Sequence, residues 1–233
     1  MRELSSEGKT AIAVLGGTFD PVHYGHLRTA FEVREHLEFN DFRFMPAGRP
    51  PHRNYPVTDA GHRLAMLRLA IQGEPGVSID ERELRREGPS YMTDTLQALR
   101  SDEGGVPLVL VIGQDSANTL DNWYKWQRIF PLAHLVIMSR PGDEEDYSAA
   151  LQSELEGRWV ESVSGLSSRT AGCVMKLEVT RLAISSSEIR EMLRCGKSPR
   201  YLLPDPVLDY IREQGLYLQA DAPGGEPGQS KSD

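Results

Sequence analysis

Residues 11–26 read Ala-Ile-Ala-Val-Leu-Gly-Gly-Thr-Phe-Asp-Pro-Val-His-Tyr-Gly-His. The first five form an apolar run stopped by two glycines, the pattern of a buried strand that ends in a tight loop. Leu27, Ala30, Phe31, Val33 and Leu37 follow at helical spacing. A strand, a glycine-rich loop and a helix therefore open the chain. Gly16 and Gly17 let backbone N–H groups approach a ligand with no Cβ in the way. The N-terminus of the next helix faces the same space, where free N–H groups and the helix dipole favour an anion.

The alternation continues outward from this segment. Phe42 to Met45 reads as a second strand, followed by a loop with Pro46, Pro50, Pro51 and Pro56. Asp59 is placed to cap a helix whose apolar stripe is Ala60, Leu64, Leu67 and Ile71. Val77 to Ile79 is a brief strand, and Met92, Leu96 and Leu99 mark another helix. Leu108 to Ile112, His134 to Met138 and Val174 to Val179 are further strands, and helices near 186–194 and 206–214 close the fold. Residues 141–172 are less regular, and their conformation is left open. Strands alternating with helices predict an α/β fold with a doubly wound, mostly parallel sheet covered on both faces, ending in C-terminal helices. The organisation expected is one domain over 10–218, a flexible N-terminus over 1–9, and a disordered polar tail over 219–233.

Composition narrows the function classes. With 233 residues, 39% hydrophobic and 26% charged, the chain can bury a full core without covalent staples. Cys173 and Cys195 form no metal or disulfide pattern, which points to two reduced thiols and a cytoplasmic protein. Thirty-four acidic against 26 basic residues give a formal charge of -8, which speaks against nucleic acid or anionic membranes as partners. No signal peptide and no membrane span are expected. Sequence alone leaves the oligomeric state open.

Two constellations carry chemistry. His23 and His26 are three apart at the loop-to-helix junction, where two imidazoles can donate to phosphate oxygens. As metal ligands they lack an obvious third partner, so no resident metal is expected. The second constellation is Ile184-Ser185-Ser186-Ser187-Glu188-Ile189-Arg190. Ser185 with Glu188 has capping-box spacing, and Ile184 with Ile189 has staple spacing, so a helix begins here. Arg190 shares a face with Ser186. Serine hydroxyls, N–H groups and a guanidinium fork together suit a polyphosphate.

These two segments resemble the HxGH and ISSTxIR signatures of the nucleotidyltransferase superfamily. The chain is similar, more closely, to bacterial nicotinate-nucleotide adenylyltransferases. Further matching segments are Pro50-Pro51-His52-Arg53, Ser90-Tyr91-Met92-Thr93-Asp94-Thr95-Leu96, Ile112-Gly113-Gln114-Asp115, Trp123-Tyr124, Ser139-Arg140-Pro141-Gly142, Leu203-Pro204-Asp205-Pro206-Val207 and Tyr210-Ile211. The resemblance covers roughly residues 11–217 and implies a Rossmann-like nucleotidyltransferase fold. It implies adenylyl transfer from ATP to nicotinate mononucleotide, with Mg²⁺ carried by the ATP. His23, His26 and Arg190 would be catalytic. Gly16, Gly17, Thr18, Phe19, Gly113, Asp115, Ile184, Ser185, Ser186 and Arg190 would bind ATP. Arg53, Thr93, Thr95, Asp115, Trp123 and Tyr124 would bind the acceptor. Asp115 is equally readable as a helix N-cap, and Trp123 as a core residue.

Met92 departs from the family's usual threonine, which leaves Thr93 or Thr95 to supply a hydroxyl. Three other readings stand beside the first. One is an HxGH-type adenylyltransferase using nicotinamide mononucleotide or phosphopantetheine, another is a cytidylyltransferase, and the last is a non-catalytic nucleotide sensor.

Overall fold

The computed structural model describes residues 11–49, 58–140, 142–180 and 182–218. Its centre is a six-stranded sheet in the order β3-β2-β1-β4-β5-β6, with every adjacent pair parallel. The strands are β1 (Ile12–Gly17), β2 (Asp41–Pro46), β3 (Val77–Ile79), β4 (Leu108–Gly113), β5 (His134–Ser139) and β6 (Val174–Glu178). This is the doubly wound order, and it reverses direction between β1 and β4.

Period-two alternation divides the strand side chains between two cores. Ala13, Leu15, Phe42, Phe44, Val109 and Val111 pack with α1 (Tyr24–Leu37), α2 (Ala60–Ala70), α8 (Ser186–Arg194) and α9 (Asp205–Glu213). Ile12, Val14, Leu110 and Ile112 pack on the other face with α4 (Met92–Glu103), which follows the one-turn α3 (Arg82–Arg85), and with α5 (Gln114–Asn118), α6 (Ala149–Leu155) and residues 120–133. Each fully buried Leu, Ile or Val contributes about 1.5–3 kcal/mol. Both faces of β1 and β4 are covered, which is why these strands read as unbroken apolar runs.

Local signals act as expected at several ends. Asp59 caps α2, its Oδ1 accepting from Gly61 N at 2.7 Å. Ser185 caps α8, its Oγ accepting from Glu188 N at 3.2 Å. The buried stripe of α2 differs from expectation. Leu67 and Ile71 are buried as expected, but the stripe otherwise runs through Arg63 and Met66, while Ala60 and Leu64 are only half-buried. The helix is turned so that the Arg63 guanidinium reaches inward to backbone carbonyls.

The region expected to be irregular holds α6 and α7 (Val163–Ser167). Ser148 caps α6 through Leu151 N at 3.2 Å. Residues 1–9, the tail 219–233, Arg53 and the prolines at 50, 51, 56 and 141 lie outside the described residues.

Candidate active site

The crevice at the β1/β4 reversal is built first by residues 16–26. A Cβ on Gly16 would lie 2.8 Å from Met92 Cε, and one on Gly17 would lie 2.7 Å from the Phe19 ring. A side chain at Gly17 would therefore collide with the packed Phe19 ring, whereas one at Gly16 would have to displace the end of Met92. Phe19 holds a left-handed φ of 51° and is buried. Its ring meets His26 edge-on at 5.2 Å and Phe44 at 5.6 Å. Core packing thus folds the loop back and keeps the Phe19 ring turned inward.

α1 starts immediately after His23, which is extended and gives no side-chain cap. Its first turn carries no acidic residue. That helix terminus suits an anion. The His23 and His26 rings stack with centroids 3.7 Å apart and planes 27° off parallel. His23 is 4% exposed, and its Nδ1 has no hydrogen-bond partner among the described residues. Burial lowers the His23 pKa from 6.5 to about 4, so the ring is neutral at pH 7.

This shift has a measurable consequence. Unfolded His23 takes up a proton as pH falls below 6.5, whereas the folded ring resists until about 4. The stability contributed by the neutral ring is complete above pH 6.5 and is lost between 6.5 and 4. Urea titration at pH 5 should show about 2 kcal/mol less stability from this residue than at pH 7.5. His23→Gln should flatten that part of the profile; an unchanged profile would assign the acid sensitivity elsewhere.

The second constellation arrives from the other end of the chain and meets the first directly. A Cβ on Gly25 would lie 3.0 Å from the His23 ring and 3.3 Å from the Ile184 carbonyl oxygen. Ser186 Oγ donates to Pro21 O at 2.9 Å. Arg190 Nη1 donates to Asp20 O at 2.6 Å, and its Nη2 donates to Ser187 Oγ at 3.2 Å. Ser186 and Arg190 are expected to face phosphate; what the structure shows is that these donors hold the loop. A guanidinium has five N–H donors, so Arg190 can do both. Arg63 lay outside the expected set. Its Nη1 donates to Thr18 O at 2.8 Å, its Nε to Thr58 O at 3.3 Å and its Nη2 to Gly48 O at 3.4 Å. Charged residues within a helical pattern read as surface, so no local signal marked it.

A cavity of about 240 Å³ opens beside the loop, between the ends of β1 and β4. An apolar cavity of about 150 Å³ already accepts a benzene ring, so one planar heterocycle fits here. Gly16, Gly17, Thr18, Tyr91, Met92, Gly113, Trp123 and Tyr124 line it. Of the three neighbouring aromatics, Trp126 is buried, Tyr124 is exposed, and Trp123 is half-buried against the cavity. The Tyr91 and Tyr124 rings lie 4.4 Å apart.

Two expectations need correction. Thr93 and Thr95 do not offer free hydroxyls in place of the one lost at Met92. Thr93 Oγ1 donates to Tyr124 O at 2.8 Å, which ties the Trp123-Tyr124 turn to α4. Thr95 Oγ1 donates to Glu83 Oε1 at 2.9 Å and accepts from Arg86 Nη1 at 3.0 Å, away from the cavity. Burial raises the pKa of Glu83, and the Thr95 hydroxyl and the Arg86 charge work against that rise. Asp115 does not cap α5: Gly113 is the N-cap and Asp115 sits exposed in the first turn. The extended backbone of β4 runs one residue further than the apolar run does, which moves the cap to the glycine. Gly113 and Ser116 line the cavity, whereas Asp115 does not.

Comparison with known proteins finds relatives of nearly the whole chain. The family model described as cytidylyltransferase-like matches residues 14–192. A protein of Methylococcus capsulatus named probable nicotinate-nucleotide adenylyltransferase is 48% identical over 89% of this chain and 100% of its own length. One of the same name from Acidithiobacillus ferrooxidans is 48% identical over 88% of this chain and 95% of its own. Among solved structures, the nicotinic acid mononucleotide adenylyltransferase of Plasmodium falciparum complexed with NaAD superposes with a TM-score of 0.67. It is 15% identical and covers 89% of this chain and 97% of that one, which speaks for the fold.

Proposed function

This chain belongs to the nicotinate-nucleotide adenylyltransferases, within the cytidylyltransferase-like proteins, and we propose that it transfers the adenylyl group of ATP to nicotinate mononucleotide. The products are nicotinate adenine dinucleotide and pyrophosphate, a step of NAD biosynthesis. The observation that carries this reading is the meeting of residues 16–26 with the start of α8 at the sheet's reversal point, beside a ring-sized cavity.

A phosphate oxygen of the acceptor attacks the α-phosphorus of ATP. A new P–O bond forms and the bond to the β-phosphate bridging oxygen breaks, so pyrophosphate leaves with the electron pair. The attacking oxygen is already anionic, so no general base is needed. Catalysis rests on positioning and on charge stabilisation. His23 and His26 donate to the phosphates at the reacting centre. Gly16, Gly17 and Thr18 bring backbone N–H groups to the same place, with the loop shape fixed by Phe19. Ser185, Ser186 and Arg190 hold the departing end, and Ile184 sets α8 against Gly25. Trp123 stacks on the pyridine ring, with Tyr124 and the α4 N-terminus beside its carboxylate. Gly113 and the exposed Asp115 serve the sugars, and Arg53 serves a phosphate.

Mg²⁺ enters with the ATP. Among the described residues no three His, Cys, Asp or Glu side chains gather into a cage. Such an ion is at home on phosphate oxygens and water. No described helix is long and apolar enough to cross a membrane. Both cysteines are free, which supports the cytoplasm as its place of work.

The test compares initial rates of dinucleotide formation from ATP, Mg²⁺ and either nicotinate or nicotinamide mononucleotide. A site that donates to a carboxylate leaves donors unpaired with the amide, so the acid should be favoured by about 10- to 100-fold. Equal rates would overturn the acid preference. Product only with a phosphopantetheine acceptor would overturn the substrate class.

A further inference from the structure

The turn between β1 and α1 has its carbonyls held by donors from distant parts of the chain, namely Arg63, Ser186 and Arg190. One more tie comes from beyond the last helix. The Tyr217 hydroxyl donates to Asp20 Oδ1 at 2.6 Å, across 197 positions of sequence. Asp20 is 3% exposed, so what touches its side chain governs where the turn sits.

The chain takes deliberate steps to deliver this hydroxyl. α9 ends in a tight reversal, with Gly215 at φ 62° and Leu216 N donating to Ile211 O at 3.0 Å. Tyr217 then holds a second left-handed φ, 63°, which a bulky side chain adopts only when its surroundings enforce it. Its ring packs on the core beside Leu216. Burial and the neighbouring Asp20 carboxylate raise the phenol's pKa, so it stays a donor throughout the working range.

We propose that Tyr217 is a positioning residue for adenylyl transfer: by holding Asp20 it fixes the turn that presents His23 and the α1 N-terminus to the triphosphate. The inference rests on the function proposed above. It predicts a defect concentrated in the nucleotide half of the site, because Asp20 and the part of the turn beyond Thr18 do not line the acceptor cavity.

Tyr217→Phe in the full chain removes one oxygen and keeps the packing. Its affinity for a non-hydrolysable ATP analogue, measured calorimetrically, should fall about five- to twentyfold, and the KM for ATP should rise in step. The acceptor KM should stay within about twofold, and the melting temperature should fall only by the few degrees that one lost buried hydrogen bond costs, since the ring is retained. Tyr210→Phe is the matched control, deleting a 2.9 Å hydrogen bond to His62 Nδ1 that links α9 to α2. It should leave analogue affinity unchanged.

Asp20→Asn keeps an acceptor for the hydroxyl and should bind the analogue more tightly than Asp20→Ala. Wild-type analogue affinity in Tyr217→Phe, or an equal loss in Tyr210→Phe, overturns the proposal. Analogue binding is separate from turnover. A wild-type chain that binds the analogue yet forms no dinucleotide overturns the proposed function, and the Tyr217 comparison is still decided by binding.

Discussion

Replacing His26 with alanine should lower kcat by about 100- to 1,000-fold, equivalent to about 3–4 kcal/mol of lost transition-state stabilisation. The reasoning is geometric. His26 stacks on His23 and meets the edge of Phe19, so its ring is fixed before any substrate arrives. A donor held in place costs no reorganisation when charge develops on the α-phosphate and its leaving group. The fold should survive. His26 is only half-buried, and losing its two ring contacts costs about 1–3 kcal/mol. Steady-state kinetics with urea unfolding in parallel separates the two effects. Turnover within threefold of wild type would remove His26 from the reaction, whereas a large loss of stability would make the kinetic result uninterpretable as chemistry.

Replacing Arg63 with methionine should have the largest effect on stability, about 3–5 kcal/mol. Arg63 is 1% exposed and donates to the carbonyls of Thr18, Gly48 and Thr58. Burial pulls its pKa below the ordinary arginine value, and the nearby carboxylates of Asp20 and Asp59 offset that only in part. Methionine relieves the burial of charge but leaves three carbonyls without that donor and removes a countercharge to Asp20. Nucleotide affinity should fall as well, because Thr18 belongs to the phosphate loop. Urea unfolding gives the first quantity and calorimetry the second. A stability loss under 1 kcal/mol would show that the loop is held adequately by its other donors.

Much of this molecule can be read from short windows of sequence. Val77 to Ile79 forms the expected strand to the residue, and α8 begins at Ser186 because Ser185 and Glu188 specify its cap. Strands β1 and β4 announce themselves as apolar runs ended by glycine, and the switch point between them follows from parallel topology. The unread parts share one property: they depend on contacts between distant segments. Nothing near Arg63 indicates that a guanidinium will be buried under residues 45 positions earlier. Thr95 looks like a spare hydroxyl until Glu83 is seen to claim it. Asp115 looks like a cap until β4 is seen to extend to Gly113. The short helices α5, α6 and α7 span five to seven residues, too few for a 3.6-residue period to show.

The bond between Tyr217 and Asp20 also sets a rule for biosynthesis. A polypeptide emerging from the ribosome can form β1 and its neighbours early, since those strands pair in order of appearance or nearly so. The loop that β1 feeds acquires its last anchor only when the segment after α9 has left the exit tunnel and folded back. Nascent chains should therefore complete the sheet before they gain full nucleotide affinity, and a protease cut just after Gly215 would return a finished molecule to that immature condition.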